Sequence, residues 1–211
     1  MVDARKKPEG KVFWMAFGLA ISLTLAVETA ALGAGPQVHV QETLEAITAI
    51  LNQPQWQGAG KDQARKQEVR KIIYEAFDFR EMSREVLGAQ WTKLTPQQQE
   101  EFTGLFGDLF ERSYNRMILS FLGERRTTYG TASVDNGRAV VQTILVSKND
   151  AKLPVDYKLT SNGERWAIYD VVVDGVSLAM NYRAQFTKIL RTSSYNALIQ
   201  RIKDKLAEER L

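Results

Sequence analysis

The 211-residue chain contains no cysteine and a single histidine, and these absences exclude several kinds of chemistry. Without cysteine there is no disulfide framework and no thiol or thiolate-metal site. The histidine, His39, lies in a polar segment near the N-terminus, where we expect a solvated surface residue. Neither a metal ligand nor a general base is predicted from it.

Motifs of catalysis and phosphate binding are also missing. Residues 34–211 contain no glycine-rich phosphate loop, no histidine-containing metal cluster and no Gly-x-Ser-x-Gly elbow. Asp170 and Asp174 share a face of a predicted strand but would lie about 13 Å apart, too far for a coupled acid and base. We expect that Ser177 lacks a neighbouring base and is a helix N-cap instead of a nucleophile. The sequence therefore predicts no enzyme, no cofactor and no metal site.

A strong excess of one charge is absent as well. The formal net charge is +3, and subtracting the +1 of the first 33 residues leaves +2. No run of lysine and arginine is dense enough to form a basic stripe, so nucleic acid is not an expected partner.

Residues 1–33 have the pattern of a secretory signal peptide. A basic end is followed by the apolar run 12–27 and then by small residues. The run is about 16 residues long, short of the roughly 17–25 that span a bilayer, which favours cleavage over the alternative of an uncleaved anchor. Either outcome places residues 34–211, which have the length of one domain, outside the cytoplasm.

The first part of residues 34–211 is predicted to be helical. Apolar residues at steps of three and four predict helices over 37–51, 61–77, 78–87 and 96–122, with a loop over 55–60. Thr95, Pro96 and Gln98 form the signature of a capping box at the start of the longest helix. Its stripe is rich in rings, including Phe102, Phe106, Phe110 and Tyr114. Such a stripe either fills a core or lines an apolar cavity, and both alternatives stay open.

From residue 126 onward the apolar period falls to two, which predicts strands. Asn136-Gly137 is a strong hairpin signal, and the segments 126–134, 138–147, 153–160 and 166–173 form a four-stranded antiparallel meander. The last strand is apolar on both faces, so both need cover, from two protein layers or from protein and ligand. Asp174-Gly175 ends it, and two further helices follow, the first capped by Ser177. The fold class is α+β, with a helical layer over a curved four-stranded sheet.

Several blocks of the sequence resemble one known family. They are Phe77-Asp78-Phe79 with Met82, Leu87-Gly88, Trp91 and Leu94-Thr95-Pro96; Glu101-Phe102 and 109–114; Trp166 with Tyr169-Asp170-Val171; and Gly175-Val176-Ser177-Leu178 with Asn181-Tyr182-Arg183-x-x-Phe186. In these the chain resembles the MlaC-like, toluene-tolerance Ttg2-type phospholipid-binding components of ABC lipid transport systems. The resemblance implies a periplasmic carrier with a cone-like fold and an apolar cavity for a phospholipid with two acyl chains. It implies transfer between an inner-membrane ABC transporter complex and an outer-membrane lipoprotein or porin complex, which maintains outer-membrane lipid asymmetry and solvent tolerance.

The pattern of apolar residues suggests which side chains would line such a cavity. The rings of the long helix would face the sheet, with two residues of the Ser177 helix closing one side, and Arg183 is a candidate for the lipid headgroup. Alternatively, Arg183 is solvated or paired to a neighbour. The predicted lining consists of Phe102, Phe106, Phe110, Tyr114, Val141, Leu145, Tyr157, Val171, Leu178 and Tyr182.

Two other classes of function remain alternatives. One is an enzyme of the same cone-shaped α+β type acting on an apolar small molecule, which would need a titratable group inside the cavity. The other is a membrane-anchored structural adaptor, which would have a filled core.

Overall fold

The computed structural model describes residues 35–208 apart from 57, 59, 123–125, 148, 162 and 164, and of 114–122 it describes the backbone alone. This part of the chain has an α+β fold, as predicted. The helices are α1 Pro36–Asn52, α2 Asp62–Ala76, α3 Phe79–Leu87, α4 Pro96–Leu122, α5 Leu178–Thr192 and α6 Tyr195–Glu208. The strands are β1 Arg126–Asp135, β2 Arg138–Val146, β3 Lys152–Ser161, β4 Trp166–Val173 and β5 Val176–Ser177. The predicted signal peptide, 1–33, lies outside the described residues.

The helix ends follow from local sequence signals. The Thr95 N–H donates to Gln98 Oε1 at 3.0 Å and the Gln98 N–H donates to Thr95 Oγ1 at 3.2 Å, which is the predicted capping box. Gly88 ends α3 with a φ of +53°, in the region that favours glycine. None of the described helices is both long and apolar enough to cross a bilayer.

Helix α2 ends one residue earlier than predicted, because the chain turns there to meet the sheet. Phe77 is extended and forms a parallel bridge with Ile168 of β4. The next backbone N–H, of Asp78, donates to the Ile168 carbonyl at 2.8 Å. The joint between α2 and α3 is thus fixed to one edge of β4.

The sheet is antiparallel with the strand order β1-β2-β3-β4-β5, one strand more than predicted. Asn136 and Gly137 both have positive φ, as the predicted hairpin requires. Asp174 and Gly175 also have positive φ, so this pair does more than end β4. It folds the chain back as a second tight hairpin, and the two-residue β5 pairs with β4.

Two irregularities bend the sheet. The register shifts between Tyr129 and Ala132 of β1, and again where Lys158 pairs with Asp170 while Leu159 pairs with Ile168. In the second case Tyr169 is the extra residue. Bulges of this kind bend a strand and increase its twist, so they produce the predicted curvature.

One hydrophobic cluster joins the helices to the sheet. Helices α1, α3 and α5 pack on strands, whereas α4 packs chiefly on α3 and α6. The cluster includes residues from all six helices and from β2, β3 and β4. Five consecutive residues of β4, 167–171, are buried, so protein covers both faces of that strand.

Candidate functional site

Three of the predicted cavity residues form a row across the sheet. Val141 of β2 lies opposite Tyr157 of β3, and Tyr157 lies opposite Val171 of β4. All three are buried, and burial raises the pKa of Tyr157. Leu145 lies further along β2, opposite Leu153. The alternation of side chains along each strand places this apolar row on one face of the sheet.

The rings of α4 form a second group, with Phe106 at its centre. The ring centroid of Phe106 lies 5.2 Å from that of Tyr182 in an edge-to-face arrangement and 5.7 Å from that of Phe102. Phe110, 6.2 Å from Phe106, continues to Phe77 at 5.8 Å. Such pairs stabilise an interior beyond their burial alone. These rings therefore join α4 to α5 and to the joint between α2 and α3.

The structure brings nearly all of the predicted lining into one interior. Nine of the ten residues are buried within the single cluster, and the side chain of Tyr114 lies outside the described part of the chain. Helix α5 links the two groups, because it packs on β4 and contributes Tyr182 to the rings. The described ring contacts of α4 lie within α4 or reach α3, α5 and the extended Phe77, and none reaches the row on the sheet, so the direct facing of these rings and the sheet stays a prediction. The nine are Phe102, Phe106, Phe110, Val141, Leu145, Tyr157, Val171, Leu178 and Tyr182.

Arg183, the candidate for a lipid headgroup, lies on the exposed side of α5. Its Nη1 donates to the carbonyl of Glu85 at 3.2 Å, in the last turn of α3, where carbonyls lack helical partners. Arg183 is thus paired to a neighbour, as the alternative interpretation expected, and its headgroup role stays a prediction. It also lines a groove of about 450 Å3 together with Met180, Ala184, Thr187, Lys188 and Arg191.

The turn from β4 into α5 is held by a buried carboxylate. Asp170 accepts hydrogen bonds from Ser177 Oγ at 2.7 Å and from the Ala179 N–H at 3.0 Å, and Lys158 Nζ lies 3.0 Å away. Ser177 accepts from the Met180 N–H at 3.0 Å, so it is the predicted N-cap. The expectation that Ser177 lacks a neighbouring base was wrong, since the Asp170 carboxylate is its partner. A capped, ion-paired turn of this kind fixes the direction of α5.

Comparison with known proteins identifies the family of this fold. The family model described as MlaC protein matches residues 41–204. The chain belongs to the MlaC family. It is 24% identical over 170 residues to the toluene tolerance protein ttg2D of Pseudomonas putida, covering 80% of this chain and 76% of that protein. This confirms the resemblance seen in the sequence.

A solved structure shares the MlaC-family fold. It is that of the phospholipid-binding protein from Ralstonia solanacearum in complex with a phospholipid. The two superimpose with a TM-score of 0.73 over 84% of this chain and 100% of the other, at 22% sequence identity. The likeness establishes the α+β architecture independently of the sequence patterns.

A polar network in this MlaC-family chain connects α2 to α4, and it was not predicted from the sequence. Arg70 donates to Asp108 at 2.5 Å and to Glu111 at 3.0 Å, and the Tyr74 hydroxyl donates to Asp108 at 2.6 Å. Burial alone would raise the pKa of Asp108, but the hydrogen bonds from Tyr74 and Arg70 outweigh it and hold that pKa below its usual value. The i, i+4 spacing of Arg70 and Tyr74 was the available signal.

His39 differs from its predicted role as a solvated surface residue. It is half-buried, and its Nε2 lies 3.1 Å from the carbonyl of Ala76, at the end of α2. The contact fastens α1 to α2, so that prediction was wrong. Among the described residues, no group of three or more histidine, cysteine, aspartate or glutamate side chains is placed to hold a metal ion.

Proposed function

We propose that this MlaC-family protein binds a phospholipid by its acyl chains and carries it through the periplasm between membrane complexes. The observation that carries the proposal is the shared fold with a phospholipid-binding protein that was solved with a phospholipid bound. Membership of the MlaC family and similarity to a toluene tolerance protein support the same proposal. We propose that this transport maintains the lipid asymmetry of the outer membrane and tolerance to organic solvents. The domain is residues 34–211.

Energetics restrict where the acyl chains would lie. Two chains of about 16 carbons contain roughly 30 methylenes, and each is worth about 0.8 kcal/mol on leaving water. A carrier must nearly match this to take lipid from a membrane, so only a large apolar cavity suffices. We place it between the ring group of α4 and α5 and the row Val141, Tyr157 and Val171, which lie in the same apolar cluster.

The buried carboxylates favour a carrier over the alternative of an enzyme. Asp170 is held by Lys158 and by the start of α5, and Glu111 is paired with Arg70. Carboxylates held in this way serve the fold, whereas a catalytic acid or base needs access to a substrate. We propose no catalysis.

Lipid transfer between vesicles tests the carrier role. Donor vesicles containing a fluorescent phospholipid and unlabelled acceptor vesicles are separated by a membrane that passes the protein alone. We expect label to accumulate in the acceptors at a rate proportional to protein concentration. Transfer equal to that with an inert protein of the same size would contradict the proposal.

Export and partners are part of the same proposal. N-terminal sequencing of protein from the soluble extracytoplasmic fraction should begin near Leu32 or Ala34, whereas an intact Met1 in the membrane pellet would support an anchor. Crosslinking in cells should capture an inner-membrane ABC transporter complex and an outer-membrane lipoprotein or porin complex. Capture of a single cytoplasmic partner would contradict it.

A further inference from the structure

Helix α5 concentrates the net charge of the chain. Its 15 residues include Arg183, Lys188 and Arg191 and no carboxylate. This charge of +3 equals the formal net charge of the whole chain, so the charges of all other residues sum to zero. A near-neutral protein therefore carries one strongly basic helix.

The three cations lie on one exposed face. Leu178, Tyr182 and Phe186 point into the core, and the cations line the groove of about 450 Å3 on the opposite side. Among the described residues, neither Lys188 nor Arg191 forms an ion pair, and Arg183 donates to a backbone carbonyl that carries no formal charge. The positive charge of this face is thus not neutralised by the described carboxylates.

An exposed apolar end adjoins these cations. Val176 is 56% exposed and Met180 is 39% exposed, at the turn that leads into α5 and in its first turn. Apolar residues beside a row of cations are typical of surfaces that bind the interface of an anionic membrane, where the apolar residues enter the headgroup boundary. We call Val176, Met180, Arg183, Lys188 and Arg191 the basic face of α5.

We propose that the basic face of α5 docks this protein on the surface of an anionic phospholipid bilayer. Charge complementarity supports this partner, because three unneutralised cations would meet a surface of phosphate groups, and the adjoining apolar residues fit the same boundary. Each cation near such a surface strengthens binding about fivefold, and the attraction falls within a Debye length. The inference goes beyond the proposed function, because it concerns the outer surface of α5 and not the lipid interior.

Vesicle co-sedimentation tests this docking. The protein is purified from the soluble extracytoplasmic fraction. It is mixed either with vesicles of phosphatidylcholine or with vesicles of phosphatidylcholine that contain 30% phosphatidylglycerol. The variant is Lys188→Gln/Arg191→Gln. The matched control is Lys66→Gln/Lys152→Gln, which removes two exposed cations from α2 and β3 and has the same net charge.

The wild type should bind the anionic vesicles and not the neutral ones, and binding should weaken as salt rises from 50 to 300 mM. The variant should bind about 30-fold more weakly, whereas the control should bind like the wild type. Circular dichroism checks that both variants are folded.

Equal losses in variant and control would overturn the proposal, because net charge and not the basic face would then matter. Absence of wild-type binding to anionic vesicles at 50 mM salt would also overturn it, and would leave an acidic protein as the partner of this face. Phospholipid extracted from the variant is measured in parallel. Its retention is independent of vesicle binding, so a failure of docking is distinguishable from a failure of the carrier role.

Discussion

Asp170 shows how much of this fold depends on one side chain. Only 2% of the residue is exposed, yet its carboxylate is paired with a lysine, a serine hydroxyl and the Ala179 N–H in the first turn of α5. A buried charge is tolerated when it is fully paired, and it is costly when one partner is removed. The direction of α5 relative to β4 is therefore sensitive to substitution at this position.

Asp170→Asn should destabilise the protein by about 2–3 kcal/mol, since it leaves Lys158 without its counter-charge, and partial exposure of that lysine moderates the loss. Urea denaturation at neutral pH measures it. The control is Asp174→Asn in the exposed turn, where asparagine tolerates positive φ and the change should stay within about 0.5 kcal/mol. Equal effects of the two substitutions would mean that the contacts of Asp170 contribute little.

The lowered pKa of Asp108 predicts an acid-sensitive contribution to stability. Because the folded state favours the charged carboxylate, this contribution is present above the unfolded pKa of about 3.9. It is lost as the pH falls through the lower folded value. Asp108→Asn should cost roughly 1–2 kcal/mol at pH 7. The difference from wild type should shrink below about pH 4, as followed by urea denaturation between pH 3 and 7. A difference that is constant across this range would contradict the prediction.

At the scale of elements, the end of α3 depends on Gly88. Its φ of +53° with ψ of −129° is nearly restricted to glycine, and an added Cβ would lie 2.7 Å from Arg183 Nη2. Gly88→Ala should therefore lower the free energy of unfolding by about 1–3 kcal/mol. Gly104→Ala, with open space in α4, should raise it by about 0.5–1 kcal/mol.

A double-mutant cycle separates the two causes at Gly88. If backbone strain dominates, Gly88→Ala should cost as much in an Arg183→Ala background as in the wild type, because the end of a flexible side chain moves easily. If Arg183→Ala removes most of the cost, the steric contact is responsible and the backbone account is wrong.

Elements set by neighbouring residues could be predicted from the sequence, whereas those set by strand register could not. The capping box at Thr95 and the Asn136-Gly137 hairpin depend on residues within a few positions, and both are present. Asn162-Gly163 predicts a turn before β4, and a two-residue turn there would have paired Lys158 with Ala167. The observed partner is Asp170, because the connection is longer and β4 has a bulge at Tyr169. The ion pair of Lys158 and Asp170 could therefore not be predicted from the sequence.

For the whole molecule, periodicity predicted burial but not partners. The nine described residues of the predicted lining are all buried, since the apolar stripes of α4, α5 and the strands indicate the inner face. Which stripes meet is decided by the packing of α4 on α3 and α6, and no local pattern contains that information. For the same reason the sequence did not predict that Arg70 meets Asp108 and Glu111, which lie 38 and 41 residues further along the chain.

The interior also allows a sharp test of where lipid would lie. Val171→Glu or Phe106→Asp places a carboxylate in the proposed cavity and should abolish lipid retention, because a charge there opposes apolar chains. Ile144→Glu, at a partly exposed position of β2, is the control and should retain lipid. Size-exclusion chromatography and circular dichroism select variants that remain monomeric and helical. If such a Val171→Glu or Phe106→Asp protein still retains stoichiometric phospholipid, this cavity assignment is wrong.

Mass spectrometry of organic extracts from the purified wild-type protein tests the central claim most directly. The carrier account predicts about one phospholipid with two acyl chains per protein molecule, retained through purification without added lipid. An extract of folded wild-type protein that contains no phospholipid above the level of an inert control, even after incubation with phospholipid vesicles, would contradict the account.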